Sequence, residues 1–181
     1  MSNSVLSRWG VICVYGEEAA QFLHTQLSNS IKDLPENKIR LAAFCNAKGR
    51  MLGTFFVTRQ ADHYYLICPS NTIPALTKRL SMFILRSKCK AVDASSQWGL
   101  QFVPSVMEGT ASALRMSAHW NGSDTCTLAL RPINGITPGL RMTRLGEASA
   151  TETSPHIMQD AMQDEQFELA LYTLGIPYIL A

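Results

Sequence analysis

The spacing of apolar positions predicts short strands interrupted by helices along the first half of the chain. The run Trp9–Tyr15 (WGVICVY) has the continuous apolar character of a buried strand, and Gly16 ends it. Residues 17–27 place Leu23 and Leu27 four positions apart, on one face of a helix. The same reasoning predicts strands at 40–46, 50–59, 63–68 and 89–92 and a helix at 72–85.

The predicted order β-α-β-β-β-α-β is typical of a ferredoxin-like α+β layer, in which antiparallel strands form split βαβ units. The turn Ala47-Lys48-Gly49 joins the second and third strands, and Gly49 is free to take positive φ there. We therefore assign residues 1–95 to a first ferredoxin-like unit.

Residues 96–181 echo this order without repeating its sequence. Strands are predicted at 98–103, 125–130 and 139–145, helices at 105–116 and 164–174, turns at 120–123 and 134–135, and a polar loop at 147–155. Gly175 follows the last helix as its cap. The chain ends in apolar residues, so we expect this second α+β unit to be incomplete at its C-terminus.

Composition excludes several classes of protein. Hydrophobic residues make up 46% of the chain, which predicts a buried core. No apolar run approaches the ~18 residues of a membrane-spanning helix. The first eight residues lack the pattern of a signal peptide. We therefore expect a cytoplasmic protein with no membrane association.

Charge is divided unevenly between the two halves. Residues 1–95 carry 12 Lys and Arg against 6 Asp and Glu, whereas residues 96–181 carry 4 against 8. The basic half either faces an anionic ligand or RNA, or complements the acidic half, and both interpretations stay open.

Motifs for catalysis and metal binding are missing from the sequence. The five cysteines are odd in number and not closely spaced, so neither a disulfide framework nor a metal site is predicted. Cys13, Cys45 and Cys68 lie in apolar stretches and are expected to be buried, inert thiols. No catalytic residue is identified, because nucleotide-binding, hydrolase and zinc-protease motifs are all absent.

Candidate binding residues are two cations and two aromatic side chains. Lys48 and Arg50 flank Gly49 at the hairpin tip, where they either bind an anionic group or form a solvated turn. Trp9 and Phe167 are either core aromatics or surfaces on which a flat heterocycle stacks.

Four sequence blocks together resemble the YgfZ-type folate-binding proteins, relatives of the glycine-cleavage T-protein (aminomethyltransferase). The blocks are 14–16 with 22–27, 41–51 (LAAFCNAKGRM), 81–88, and 169–177 (LALYTLGIP). The resemblance covers nearly the whole chain but only the first part of the family's length. It implies part of a T-protein-like ring that holds tetrahydrofolate, as the 5,10-methylene or a related reduced form.

The resemblance also implies roles for the two aromatic residues. A family aromatic lies seven residues before the glycine of the first strand, where this chain has Trp9. A second lies eight residues before the glycine of the G-I-P segment, where this chain has Phe167. With Lys48 and Arg50, these two residues are the predicted folate-binding set.

This sequence departs from the family pattern at two places. The acidic pair of the aminomethyltransferases corresponds to Gly53 and Thr54, which do not ionise and cannot act as that acid or base. The family segment KGCYxGQE is absent, so the chain is either a trimmed part of a longer protein or a degenerate member of the family, and the first is expected.

The function that the resemblance implies is a tetrahydrofolate-binding accessory protein for iron–sulfur enzyme maintenance and tRNA modification. Its partners would be folate and iron–sulfur or tRNA-modifying enzymes. The alternative is an aminomethyltransferase or a folate-dependent demethylase, against which Gly53 and Thr54 argue. Direct nucleic-acid binding is not favoured, because aromatic residues are not interleaved with the cations.

Overall fold

The first sheet is antiparallel and has five strands. A computed structural model describes residues 6–103, 116–131, 137–145 and 157–178. The sheet order is β2-β3-β4-β1-β5. Its strands are β1 (Trp9–Tyr15), β2 (Arg40–Cys45), β3 (Met51–Gln60), β4 (His63–Pro69) and β5 (Lys90–Asp93).

Helix α2 (Ile73–Phe83) makes this sheet a split βαβ arrangement. It connects β4 to β5, and both strands pair antiparallel with β1, which lies between them. Strands β4 and β5 are therefore parallel to each other and separated by β1, as the ferredoxin-like fold requires. Strand β2 is an added edge strand. The predicted antiparallel α+β class is confirmed.

The two faces of the sheet pack against different partners because side chains alternate along each strand. On one face, Val14 and Phe55 pack with residues of α1 (Ala19–Gln26) and α2. On the opposite face, Val11 and Phe56 belong to a core cluster shared with the second sheet.

The second sheet has the order β6-β9-β8-β7 and is also antiparallel. Its strands are β6 (Trp98–Val103), β7 (Ser117–Asn121), β8 (Thr125–Ala129) and β9 (Gly139–Arg144). Helix α3 (Ile157–Thr173) adds Phe167 and Leu171 to the shared core. The boundary predicted at residue 95 falls between β5 and β6, but the division into two units stays a prediction because both sheets bury side chains in one core.

Most predicted elements match the structure within a few residues. Strand β7 was not predicted, and α3 begins seven residues before the predicted start at Asp164. The helix predicted at 105–116 lies outside the described residues except for Met116, which is not helical. The turn at 134–135 and the loop at 147–155 lie outside them entirely.

Two expectations concern surface and environment. None of the described helices has the length and apolar character to cross a bilayer. The cytoplasmic location stays a prediction.

The burial expected for Cys45 is wrong: this residue is exposed at the end of β2, where the register with β3 shifts between Phe44 and Cys45.

Candidate functional site

Trp9 and Phe167, distant in sequence, are in direct contact. Trp9 begins β1 and is 5% exposed, while Phe167 lies on α3 and is fully buried. Their ring centroids are 4.9 Å apart at an interplanar angle of 75°, an edge-to-face arrangement. The structure thus brings the two predicted aromatic residues together, but they touch each other instead of enclosing a space.

Further rings complete an aromatic cluster around Trp9. The centroid of Tyr178 lies 5.6 Å from that of Trp9, and Phe56 lies 6.3 Å from it. Phe102 packs on Phe167 at 5.8 Å. The indole Nε1 of Trp9 is buried and has no hydrogen-bond partner among the described residues. The aromatic cluster, Trp9, Phe56, Phe102, Phe167 and Tyr178, is therefore part of the core.

A buried carboxylate fixes the start of β1 against α3. Asp164 is fully buried, and its carboxylate accepts hydrogen bonds from the backbone N–H groups of Ser7 and Arg8 at 3.1 Å and from the Ser7 hydroxyl at 2.6 Å. Arg8 also pairs with Glu168 at 3.3 Å. These contacts hold Trp9 beside Phe167 across more than 150 residues of chain.

Burial also affects ionisable groups at the edge of this cluster. It raises the pKa of the Glu168 carboxyl, although the Arg8 guanidinium opposes the shift. It likewise raises the pKa of the Tyr178 hydroxyl, and the negative charge of Glu168 adds to the effect. Both shifts favour neutral side chains next to the rings.

Lys48 and Arg50 lie at the exposed tip of the β2–β3 hairpin. The Asn46 side-chain oxygen accepts hydrogen bonds from the backbone N–H groups of Lys48 and Arg50, both at 3.0 Å. Gly49 has φ +75°, as the turn predicted. Both cationic side chains have no ion-pair partner among the described residues. The tip is thus a hydrogen-bonded loop that presents two cations without ion-pair partners among the described residues.

A small groove opens between this hairpin and the segment that follows α3. This hairpin groove has a volume of about 180 Å³ and is lined by Ser28, Leu41, Ala42, Ala43, Met51, Thr54 and Pro177. Neither Trp9 nor Phe167 lines it. Sequence reasoning missed the groove, although two of the blocks that carry the family resemblance, 41–51 and 169–177, meet there.

The end of α3 explains how Pro177 reaches the hairpin. Gly175 has φ +65°, and its N–H donates to the Tyr172 carbonyl at 3.0 Å. The Ile176 N–H donates to the Leu171 carbonyl at 2.9 Å, which completes the helix cap predicted at Gly175. The chain turns back after this cap. Tyr178 then packs on Trp9, so the aromatic cluster supports one wall of the groove.

Thr54 and Gly53 occupy different environments although they are neighbours on β3. Thr54 is 9% exposed and lines the hairpin groove, and its Oγ1 has no hydrogen-bond partner among the described residues. A Cβ at Gly53 would lie 2.8 Å from Cδ1 of Leu76 on α2. Packing against α2 therefore favours glycine at 53, and only position 54 faces the groove.

The arrangement offers binding rather than acid–base chemistry. Thr54 supplies a neutral hydroxyl, and no group of three His, Cys, Asp or Glu side chains that could bind a metal ion occurs within the described ranges. Burial raises the pKa of the Cys13 thiol to about 11 and those of Cys68 and Cys126 to about 12, which makes them poor nucleophiles. The assignment of Trp9, Phe167, Lys48 and Arg50 to one ligand site stays a prediction.

Two relatives with different names illustrate the sequence matches. The chain is 27% identical over 94 residues to the tRNA-modifying protein YgfZ of Colwellia psychrerythraea, an overlap of 52% of this chain and 29% of that protein. It is 33% identical over 103 residues to the iron–sulfur cluster assembly factor IBA57 homolog, mitochondrial, of Mycosarcoma maydis, with coverage of 49% and 25%. The chain therefore matches less than a third of the length of either relative.

A solved structure supports the fold independently of these sequence matches. Aminomethyltransferase T of the glycine cleavage system from Bartonella henselae superposes with a TM-score of 0.63 at 16% identity, covering 90% of this chain and 45% of that one. No protein-family model matches the chain. The resemblance to the YgfZ-type proteins is thus confirmed over about half of the chain, whose described part has the fold of aminomethyltransferase T.

Proposed function

We propose that the chain is the folate-binding part of an accessory protein for iron–sulfur enzyme maintenance and tRNA modification. The relatives' names, a tRNA-modifying protein and an iron–sulfur cluster assembly factor, support this role. The proposed ligand is tetrahydrofolate, as the 5,10-methylene or a related reduced form. The proposed partners are iron–sulfur or tRNA-modifying enzymes.

The observation that carries the binding proposal is the hairpin groove itself, whose wall includes Thr54. The Thr54 hydroxyl is buried beneath that wall and has no hydrogen-bond partner among the described residues. Leaving a buried hydroxyl without a hydrogen bond costs about 1–3 kcal/mol, so such groups usually have a reason to be retained. The pterin of a reduced folate carries several N–H groups and a carbonyl. One of them would satisfy the Thr54 hydroxyl if this side chain rotates toward the groove when the ring enters.

The volume and lining of the hairpin groove determine which part of the ligand it can hold. Its volume of about 180 Å³ is below the ~300–1,000 Å³ of a complete small-molecule pocket, so it would hold one ring system. Leu41 and Met51 provide apolar contacts for that ring. Lys48 and Arg50, on the same hairpin, would then meet the carboxylates of the tail.

Within this proposal, Trp9 and Phe167 position one wall of the hairpin groove. Trp9 does not have to stack on the ligand. Their contact with each other and with Tyr178 fixes the segment that carries Pro177. Aminomethyl transfer is not proposed, because Thr54 stands at the groove position where that chemistry needs a carboxylate.

Binding of tetrahydrofolate by isothermal titration calorimetry tests the proposal with a matched pair of variants. Thr54→Val removes the hydroxyl at nearly constant volume and is expected to weaken binding about tenfold, the value of one buried hydrogen bond. Thr58→Val makes the same change on β3 at a fully buried position outside the groove and should leave affinity unchanged. Equal affinities for both variants and the unaltered chain would remove Thr54 from the site.

A further inference from the structure

A wide cleft separates the segment before β2 from the second sheet. It has a volume of about 460 Å³, within the ~300–1,000 Å³ range of small-molecule sites. We call it the cation groove because Lys38, Arg40 and Arg131 line it, together with Asp33, Pro35, Ile39 and Met116. It shares no lining residue with the hairpin groove.

Backbone hydrogen bonds hold the two walls of the cation groove together. The Ala118 N–H donates to the Asn37 carbonyl at 3.1 Å, and Lys38 forms a β-bridge with Ser117. Ile39 and Ala118 are both buried beside this junction. The cleft is therefore formed before any ligand arrives, which lowers the entropic cost of binding.

One of the three cations in the groove is already neutralised. Arg40 Nη1 donates to Asp33 Oδ1 at 2.9 Å and also to the Ser30 carbonyl oxygen. Hydrogen bonds from Ser30 and Arg40 hold the pKa of Asp33 at about 2, so its carboxylate is charged at neutral pH. This pair has no net charge, and Asp33 fixes the Arg40 side chain in place.

The two remaining cations are uncompensated. The side chains of Lys38 and Arg131 have no hydrogen-bond or ion-pair partner among the described residues, and each lies on a different wall. An arginine fork binds the two oxygens of a phosphate or carboxylate, and a lysine adds a point charge. Ile39 and Met116 offer apolar surface to an attached organic group.

We propose that the cation groove is a second binding site, which takes a small ligand bearing a phosphate or carboxylate group between Lys38 and Arg131. This site does not depend on the proposed folate function, because its lining and its charge are independent of the hairpin groove. Both kinds of ligand present negatively charged oxygens, which come either from a phosphate or from a polycarboxylate tail.

Titration of the 181-residue, ¹⁵N-labelled chain with inorganic phosphate tests the site. The backbone amides of Lys38 and Ala118 should shift saturably, with a dissociation constant in the millimolar range. Lys38→Gln and Arg131→Gln should each weaken binding about three- to tenfold, since both charges are partly screened by solvent. Lys32→Gln removes one charge nearby but outside the groove lining, and it should leave the constant unchanged.

Two further measurements distinguish phosphate from carboxylate ligands and control for misfolded variants. A γ-linked triglutamate that binds more tightly than phosphate would assign the site to carboxylates, and the reverse order would assign it to phosphates. Lys38→Arg and Arg131→Lys keep both charges and should keep binding. The proposal is overturned when neither probe shifts these amides, or when the double Gln variant keeps a native spectrum and binds as tightly as the unaltered chain.

Discussion

At the residue scale, Trp9 is above all a packing residue. It is 5% exposed and contacts Phe167, Phe56 and Tyr178 through ring faces and edges. Its indole N–H, however, has no partner among the described residues. The ring therefore stabilises the core, while its buried, unpartnered N–H lowers stability.

This distinction predicts different outcomes for two substitutions of Trp9. Trp9→Ala should lower the free energy of unfolding by about 3–5 kcal/mol, since it removes a buried aromatic side chain and leaves a cavity. Trp9→Phe keeps a ring and removes the unpartnered N–H, so its cost should stay below ~1.5 kcal/mol. Denaturant unfolding followed by circular dichroism measures both. Similar losses for the two variants would contradict a role that a smaller ring can fill.

The cysteines provide a second prediction at this scale. Burial raises the pKa values of Cys13, Cys68, Cys89 and Cys126, whereas Cys45 is exposed. At pH 8 the four buried thiols hold little thiolate and are shielded, so iodoacetamide should label Cys45 first in the folded chain. Peptide mass spectrometry after brief labelling reads this directly. Rapid labelling of Cys13 or Cys68 would contradict their burial.

At the element scale, the contact between β3 and α2 explains why position 53 has no side chain. A Cβ there would lie 2.8 Å from Cδ1 of Leu76, which is itself 2% exposed and has little room to move. Close packing of this helix on the sheet thus leaves no room for a side chain at position 53, one of the two positions to which the resemblance assigns an acidic pair in the aminomethyltransferases.

Gly53→Ala should therefore destabilise the chain by about 1–3 kcal/mol through overpacking. Because Leu76→Ala creates the missing space, the cost of Gly53→Ala should shrink in that background, with a coupling of at least ~0.5 kcal/mol. A double-mutant cycle by urea unfolding measures this coupling. Strictly additive effects would mean that Gly53 does not touch Leu76.

Local sequence patterns predicted the elements of the first sheet well. The apolar run of β1, the positive φ of Gly49 and the cap at Gly175 each follow from a few adjacent residues. Strand β7 was not predicted because Ser117–Asn121 is short and half-exposed, so the alternation of apolar and polar residues along it is weak. Its place is determined instead by pairing with β8 and by the bridge from Ser117 to Lys38.

The candidate site could be predicted only in part, because it too depends on contacts between residues that are far apart in the sequence. Trp9 and Phe167 were predicted to bind the same folate, which stays a prediction. Their rings lie in contact, and local patterns do not reveal whether two rings touch or enclose a space. The hairpin groove depends on Pro177 reaching β2 and β3, and the cation groove depends on Arg131 facing residues 33–40. Both are long-range contacts, which no sequence period encodes.

At the scale of the whole molecule, both sheets bury side chains in one core. Val11 and Phe56 of the first sheet, Leu128 and Met142 of the second, and Phe167 of α3 belong to the same cluster. Because the core is shared, the stabilities of the two halves are coupled, even though a boundary between two units is predicted at residue 95.

The chain should consequently unfold in a single cooperative transition. Near-ultraviolet circular dichroism, dominated by Trp9, Trp98 and Trp120, should follow the same urea curve as the far-ultraviolet signal. A core substitution such as Leu128→Ala, in the second sheet, should shift both curves together. Two separated transitions would show that residues 1–95 and 96–181 fold independently.

The central claim is that a reduced folate enters the hairpin groove. Amide chemical-shift mapping with 5-formyl-tetrahydrofolate, a stable reduced folate, tests it most directly. The account predicts saturable shifts that centre on Ala43, Thr54 and Tyr178, with little change at Lys38 and Ala118 beyond what triglutamate alone produces. Saturable shifts confined to other parts of the chain, or none at all, would contradict it.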